Sequence, residues 1–573
     1  MTSQLSISIG QCSDKGRKDI NQDSYGSYTP RGSLLNHKGF AAVMADGISS
    51  SEVSQIASET AVKSFLDDYY CTSETWSVQH AAEKVLDATN SWLYSQSQQS
   101  PYHYDKDKGY VCTLSALVIK GNKAHIFHVG DTRVYRLNQQ GLELLTKDHR
   151  LWVNDNKSYL SRALGIDEYC EFDYHTLSVS PGDIFLLATD GVYEFVDAEL
   201  INSTIAQCAN DLEAAAAQIV DKAYQAGSDD NLSLQIIKVE QLAEQSSQQL
   251  KEQIETLPFP PELSARMSID NYTIVRQIHA SSRSHVFLAL DEQSGEQVIL
   301  KTPSVDLRDD PDYLERFYTE EWIARRINSA YVLKASRNPR QRNYLYTVFE
   351  YIEGQTLAQW ITDNPKPELA KVREVVEQIA KGLRAFHRMD MLHQDLKPDN
   401  IMIDSSGTIK IIDFGSVWAA GLAEQTQDIT QQHLLGTALY SAPELFLGIG
   451  GSTRAEQFSL AVITYYMLSG RYPYGTKVAG AKSHAAQKRL RYQSVIDSDS
   501  EIPAWIDDAL EKALHINPLK RYEQITEFLC DLRQPNKAFL NKARAPLVER
   551  NPVAVWQGIS AILAAMVVYL LLR

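Results

Sequence analysis

The chain has 573 residues, room for two to four domains, and its 44% hydrophobic and 22% charged residues allow ordinary buried cores. Its 56 basic and 72 acidic residues leave a net charge of −16, which excludes a general nucleic-acid binder, because phosphate needs a basic surface to offset its repulsion. Six cysteines without a C-x-x-C pair exclude a zinc ribbon or a disulfide framework and point to a reducing compartment. The opening Met1-Thr2-Ser3-Gln4 has no charged-then-apolar pattern of a signal peptide.

Residues 1–240 alternate short β-rich runs with turn signals. Strands are predicted at Leu5–Ile9, Phe40–Ala45, Leu114–Ile119, Ala124–Val129, Ile184–Ala188 and Leu232–Val239. Two helices are predicted, near Ser54–Tyr69 and Val78–Gln96, which together suggest an α+β layered domain. Acidic motifs recur beside the predicted strand ends: Asn21-Gln22-Asp23, Ala45-Asp46-Gly47, Gly130-Asp131-Thr132-Arg133, Thr189-Asp190-Gly191 and Asp229-Asp230-Asn231. A single Asp-Gly is ordinarily a hairpin turn. Five carboxylate motifs at strand ends can converge on one pole of a sheet, where hard divalent cations take oxygen ligands and a pair of ions can clamp a phosphoryl displacement.

Gly16 to Asp23 read G-R-K-D-I-N-Q-D, and M-A-D-G, H-V-G-D-T-R-V-Y, L-T-K-D-H, S-R-A-L-G, P-G-D-I-F-L-L-A-T-D-G and S-D-D-N-L-S follow in order. This series resembles the metal-dependent PP2C-type (PPM) protein phosphatases. The resemblance implies a β-sandwich flanked by helices and attack by a water bridging two Mn²⁺ or Mg²⁺ ions. It assigns Asp23, Asp46, Asp190 and Asp230 as metal ligands with the Gly47 carbonyl assisting, and Asp131 to a third ion. Three departures stand out. Gln22 replaces the usual glutamate, Lys18 stands where the phosphate-binding arginine belongs with Arg17 beside it, and Asp46-Gly47-Ile48-Ser49-Ser50 replaces the glycine-rich turn.

Residues 241–270, rich in Gln, Glu and Lys and then broken by Pro258, Pro260 and Pro261, read as a linker. From Tyr272 a β-rich stretch runs to about Glu350, and helices dominate to about Leu532. His393 to Asn400 read H-Q-D-L-K-P-D-N, and Asp413-Phe414-Gly415 begins 13 residues after Asn400. An acid, a lysine and two metal-binding side chains at this spacing serve phosphoryl transfer from a nucleotide. With Val298-Ile299-Leu300-Lys301 upstream and Ser441-Ala442-Pro443-Glu444 downstream, residues 272–533 resemble a bilobal serine/threonine protein kinase of the eukaryotic-like bacterial type.

That resemblance implies ATP and Mg²⁺. Lys301 would pair with the phosphates and be held by Glu320, with Glu321 as the fallback. The hinge at Phe349-Glu350 would take adenine through its backbone. Asp395 would orient and deprotonate the substrate hydroxyl, Lys397 would neutralise the transferred phosphoryl group, Asn400 and Asp413 would bind Mg²⁺, and Arg521 would pair with Glu444. The phosphate loop, His279 to Val286, has no glycine, so Ser281, Ser284 and Val286 are the expected contacts. Gln394 replaces the arginine that pairs with a phosphorylated activation segment. Thr426, Thr430 and Thr437 are candidate autophosphorylation sites, and Glu456 or Gln457 stands at the position of a structural aspartate.

Residues 534–552 form a basic tether carrying Lys542, Arg544 and Arg550. From Val553 to Leu572 only Gln557 and Ser560 are polar, a run that at ~1.5 Å per residue spans one hydrocarbon core. The expectation is therefore an α+β multidomain chain: phosphatase-like 1–240, linker 241–270, kinase-like 271–533, tether 534–552 and a transmembrane helix 553–572. Both catalytic units would face the cytoplasm at a bacterial inner membrane. The expected partners are proteins bearing Ser/Thr or phospho-Ser/Thr, its own kinase domain and the membrane, with no nucleic acid. The alternative is a phosphatase governed by a non-catalytic, ATP-binding kinase-like module.

Overall fold

The computed structural model describes residues 5–540, except 102, 139–140, 155–156, 209–210, 243–256, 309, 337–339, 341, 425–437 and 497–501, together with 556–557 and 559–560. The N-terminal unit is a sandwich of two five-stranded antiparallel sheets. One runs in the order Ser6–Asp14, Leu232–Gln241, Ile184–Ala188, Arg133–Asn138, Gly141–Leu144. The other runs Asp173–Ser178, Lys123–Val129, Leu114–Lys120, Phe40–Asp46, Asp23–Tyr28.

Strand Phe40–Asp46 explains why this part of the sequence is apolar without alternation. Successive side chains point to opposite faces. Phe40, Ala42 and Met44 enter the core between the sheets with Leu117, Phe185 and Ile237. Ala41, Val43 and Ala45 face helices Ser54–Cys71 and Val78–Gln99, where Phe65, Val85 and Leu93 pack. Both faces are buried, so no polar face survives. Burial of each large apolar side chain here stabilises by about 1.5–3 kcal/mol.

Five of the six predicted strands match to within two residues at each end, and the first, expected at Leu5–Ile9, continues to Asp14. Besides the short Ser33–Lys38 and Asp190–Tyr193, two longer helices were not expected, Ala198–Gln207 and Leu212–Gln225, and they cover the outer face of the first sheet. Their starts are marked in the sequence: Asp197 accepts from the Leu200 N–H and Asp211 from the Ala214 N–H.

The C-terminal unit has a small lobe with the sheet order Ser268–Ile269, Tyr272–Ala280, Ser284–Asp291, Gln297–Pro303, Thr347–Glu350, flanked by helix Pro311–Arg326. The larger lobe packs around helices Leu369–Arg388 and Thr453–Ser469. The expected linker gives up its last part to this unit. Leu263 and Ile269 enter the small-lobe core, and Pro258 O accepts from the Leu345 N–H. Apolar side chains after the prolines have a surface to cover, and burying them outweighs the freedom of a tether.

The expected transmembrane segment lies almost wholly outside the described residues. Among the described residues, no helix is long and apolar enough to cross a membrane.

Arg521 and Glu444 form a two-bond ion pair at 2.7 Å and 2.7 Å, with side chains 0% and 4% exposed. Removing one partner strands a buried charge. Arg521→Ala is expected to cost about 3–5 kcal/mol, read as a lowered urea midpoint; an unchanged midpoint would contradict this assignment.

Candidate active sites

The register of the second sheet places Asp23 directly opposite Asp46. Asp131 follows strand Lys123–Val129, Asp190 follows Ile184–Ala188, and Asp230 precedes Leu232–Gln241. All five therefore stand at one pole of the sandwich. Burial raises the Asp46 carboxyl well above its ordinary range, and the neighbouring Asp23, Asp190, Asp131 and Asp230 raise it further. Burial also pushes Asp23 up to about 6, and burial with Asp131 and Asp230 pushes Asp190 up to about 7. Carboxylates close enough to oppose the ionisation of Asp23, Asp46 and Asp190 form a site short of positive charge.

One oxygen of Asp23 accepts from the Thr189 hydroxyl at 2.9 Å, whereas Oδ1 is buried with no hydrogen-bond partner. An orphaned carboxylate oxygen inside an anionic cluster is the donor that a hard cation takes. Gly47 lies beside Asp46, with its N–H bonded to Gln22 O at 3.1 Å. Among the described residues no group of three or more His, Cys, Asp or Glu side chains is arranged to hold a metal ion in this conformation.

Two sequence alternatives are resolved by direction. Lys18 turns inward, 3.4 Å from Asp230 Oδ1 and 3.3 Å from the Ser49 hydroxyl. Arg17 turns away: its guanidinium donates to Ser228 O and Tyr224 O and lies over the Tyr224 ring. The Gln22 side chain donates to Ser51 O and the Ser54 hydroxyl, pinning the turn after Gly47. The sequence reading missed Arg150, on the hairpin Arg150–Asn154/Lys157–Leu160. Its guanidinium bonds Asp131 at 2.5 Å, Asp190 at 2.6 Å and Glu194 at 2.8 Å, making it a tethered cation at the edge of the cluster. Its position directly after L-T-K-D-H was the available signal.

In the C-terminal unit Lys301 donates to both oxygens of Glu320, at 2.9 and 2.7 Å, and stands 3.7 Å from Asp413 Oδ1. Glu320 is thus the partner. Glu321 instead binds Arg325 and Arg342. Burial alone would depress the Lys301 ammonium, yet Glu320 and Asp413 hold its pKa above the ordinary lysine value. Lys397 lies 2.8 Å from Asp395 Oδ2, and Asn400 donates to Asp395 O and Oδ2 at 2.9 and 3.0 Å. Glu456, not Gln457, supports this loop: it accepts from the Gln394 N–H at 2.9 Å and meets His387 at 2.5 Å.

Val286 pairs across the sheet with Lys301. Glu350 closes the edge strand, and its side chain accepts from Lys334 N and Lys410 Nζ. Ser281 and Ser284, the expected phosphate contacts, bond to each other. The Ser281 hydroxyl donates to Ser284 O and accepts from the N–H groups of Arg283 and Ser284, while the Ser281 N–H also bonds Ser284 O. Serine closes the turn by its side chain where glycine would have left the N–H groups free, so these donors do not face a phosphate in this conformation. Thr426, Thr430 and Thr437 lie outside the described residues.

Residues 272–531 match the protein kinase domain family and residues 13–226 match protein phosphatase 2C. The chain thus carries a stretch that matches phosphatase 2C followed by a stretch that matches protein kinase domains. It is 28% identical over 274 residues to a probable serine/threonine-protein kinase of Clostridium acetobutylicum, covering 48% of this chain and 41% of that protein. It is also 28% identical over 264 residues to the serine/threonine-protein kinase PrkC of Bacillus subtilis, covering 46% and 40%. The chain thus spans about two fifths of the length of these curated relatives. The phosphatase PstP/Ppp of Mycobacterium tuberculosis aligns with 22% identity and a TM-score of 0.35, over 41% of this chain and 99% of that one.

The raised carboxyls set a pH dependence for the phosphatase domain in chelator. Asp23 and Asp190 hold protons in the fold that the unfolded chain releases above its ordinary carboxylate range. The stability contributed by these two carboxyls is therefore fully present below about pH 4 and is lost as pH rises through about 6 to 7. The melting temperature should be lower at pH 8 than at pH 5, with Mn²⁺ restoring most of the loss at pH 8. A flat profile that Mn²⁺ does not move would contradict this reading.

Proposed function

We propose that this chain is a bifunctional enzyme of reversible protein phosphorylation: a serine/threonine kinase that uses ATP and Mg²⁺, fused to a metal-dependent serine/threonine phosphatase. The observation that carries the reading is the coexistence of two complete charge constellations. One is the Asp23, Asp46, Asp131, Asp190 and Asp230 pole; the other is the Lys301–Glu320 pair facing Asp413 beside Asp395, Lys397 and Asn400.

In the phosphatase domain Asp23, Asp46, Asp190 and Asp230, with the Gly47 carbonyl, would hold two Mn²⁺ or Mg²⁺ ions, and Asp131 a third. The ions supply a nucleophilic water and neutralise the phosphate. Lys18 is the basic side chain best placed to receive the substrate phosphate. Arg150 supplies a fixed positive charge at the Asp131 and Asp190 side of the site.

In the kinase domain Lys301, oriented by Glu320, would hold the ATP phosphates. Asp413 and Asn400 would ligate Mg²⁺. Asp395 would accept the substrate hydroxyl proton, and Lys397 would offset charge on the transferred group. The self-closed Ser281–Ser284 turn supports a second reading, in which the kinase domain binds ATP weakly and serves as a scaffold for the phosphatase. The intact Lys301, Glu320, Asp395, Asn400 and Asp413 favour catalysis. The apolar run 553–572 supports tethering at a membrane, and the kinase domain itself is a natural substrate for the phosphatase, since fusion raises their effective concentration.

Asp395→Asn is expected to lower peptide phosphorylation by about 10²–10⁴-fold while leaving hydrolysis of a phosphopeptide intact, and Asp46→Ala should do the reverse. If Asp395→Asn leaves the rate of phosphate transfer unchanged, the scaffold reading replaces the catalytic one.

A further inference from the structure

The two domains share a contact built around a lysine that sits inside the phosphatase fold but finds its partners in the kinase. Lys120 ends strand Leu114–Lys120, and its side chain is 0% exposed. Its ammonium donates to Gly421 O at 2.8 Å and to Glu424 at 3.0 Å. Both partners lie in the segment that leaves Asp413-Phe414-Gly415. Burial lowers the Lys120 pKa, and Glu424 opposes that shift. Separating the domains would leave this ammonium without its counter-charge, so the contact is costly to open.

The same segment is held from other directions. Both carboxylate oxygens of Glu424 lie 3.1 Å from the Val78 N–H, at the first turn of the long helix Val78–Gln99. A carboxylate is favoured there by the free N–H groups and the helix dipole. The Gly421 N–H bonds Thr75 O at 2.9 Å, and a Cβ at Gly421 would stand 2.5 Å from Glu74 O. The Thr75 hydroxyl, the Trp76 indole and the Ser77 N–H reach Met389 O, Arg388 O and Asp390, which precede the catalytic loop. Glu74 binds Arg326 at 2.6 Å, at the end of the helix that carries Glu320, and Arg326 lies over Trp322.

The phosphatase domain therefore grips both elements that assemble the Lys301 site: the helix bearing Glu320 and the segment bearing Asp413. The catalytic loop has no basic side chain for this task at position 394. Gln394 approaches Gly451, where an added Cβ would stand 2.7 Å from its amide nitrogen. We propose that Lys120 is a positioning residue for phosphoryl transfer. From the phosphatase domain it fixes Glu424 and thus the root of the activation segment, doing the work that other kinases assign to a phosphorylated side chain. This inference rests on the kinase reading proposed above.

The test uses the full chain and measures peptide phosphorylation, p-nitrophenyl phosphate hydrolysis and amide hydrogen exchange of residues 418–424. Lys120→Met and Glu424→Gln should each lower kinase kcat by about tenfold, with KM for ATP and phosphatase turnover within about twofold. Exchange at 418–424 should rise in both variants, and Lys120→Arg should recover much of the kinase rate. Unchanged or increased kcat in both Lys120→Met and Glu424→Gln, with the wild type active, would overturn the positioning role and leave the kinase reading intact. A wild type that transfers no phosphate would overturn the kinase reading, and this inference with it.

Discussion

A charge removed from water must meet an opposite charge or a set of hydrogen bonds, and that constraint shapes every site in this chain. It is met inside the kinase domain at Lys301–Glu320 and Arg521–Glu444. It is met across the domains at Lys120–Glu424. It is met only in part at the acidic pole of the phosphatase domain, where Arg150 and Lys18 face five carboxylates and one oxygen of Asp23 has no partner. The first three places hold a conformation. The fourth is short of positive charge, and that shortage is the chemical property the proposed metal ions would answer.

Local order made much of this legible in the sequence. Strand Phe40–Asp46 could be read because its apolar run has no alternation, and the five acidic motifs because strand ends carry them to one pole. Asp395, Asn400 and Asp413 could be singled out because their fixed spacing resembles that of kinase catalytic residues. Direction was harder to read. Lys18 and Arg17 are adjacent and both basic, and only packing against Tyr224 separates them. Glu456 and Gln457 are likewise neighbours, and the helix turns only the first toward the Gln394 N–H. The phosphate loop was hard to read because a serine can offer its hydroxyl to a ligand or, as Ser281 does here, to its own turn.

The domain contact was beyond sequence reasoning for a different reason. Lys120 and Glu424 are 304 residues apart, and nothing local marks a strand-end lysine as buried. A chain with two recognisable halves invites a description as two enzymes on a tether. The described contacts instead place the loop Thr72–Ser77 against the end of one kinase helix, the approach to the catalytic loop and the root of the activation segment. In this arrangement the N-terminal domain packs against the elements that carry the Lys301, Glu320 and Asp413 cluster of its neighbour.

The central claim is that one chain both adds and removes phosphate. The most direct measurement follows γ-labelled ATP in a single reaction with the full chain, Mg²⁺, Mn²⁺ and a serine/threonine peptide. The account predicts that label enters the peptide and then leaves it as inorganic phosphate, that Asp190→Ala makes the labelled peptide accumulate, and that Asp413→Ala prevents labelling. Label that never enters the peptide, or that leaves it equally fast in Asp190→Ala, would contradict the account.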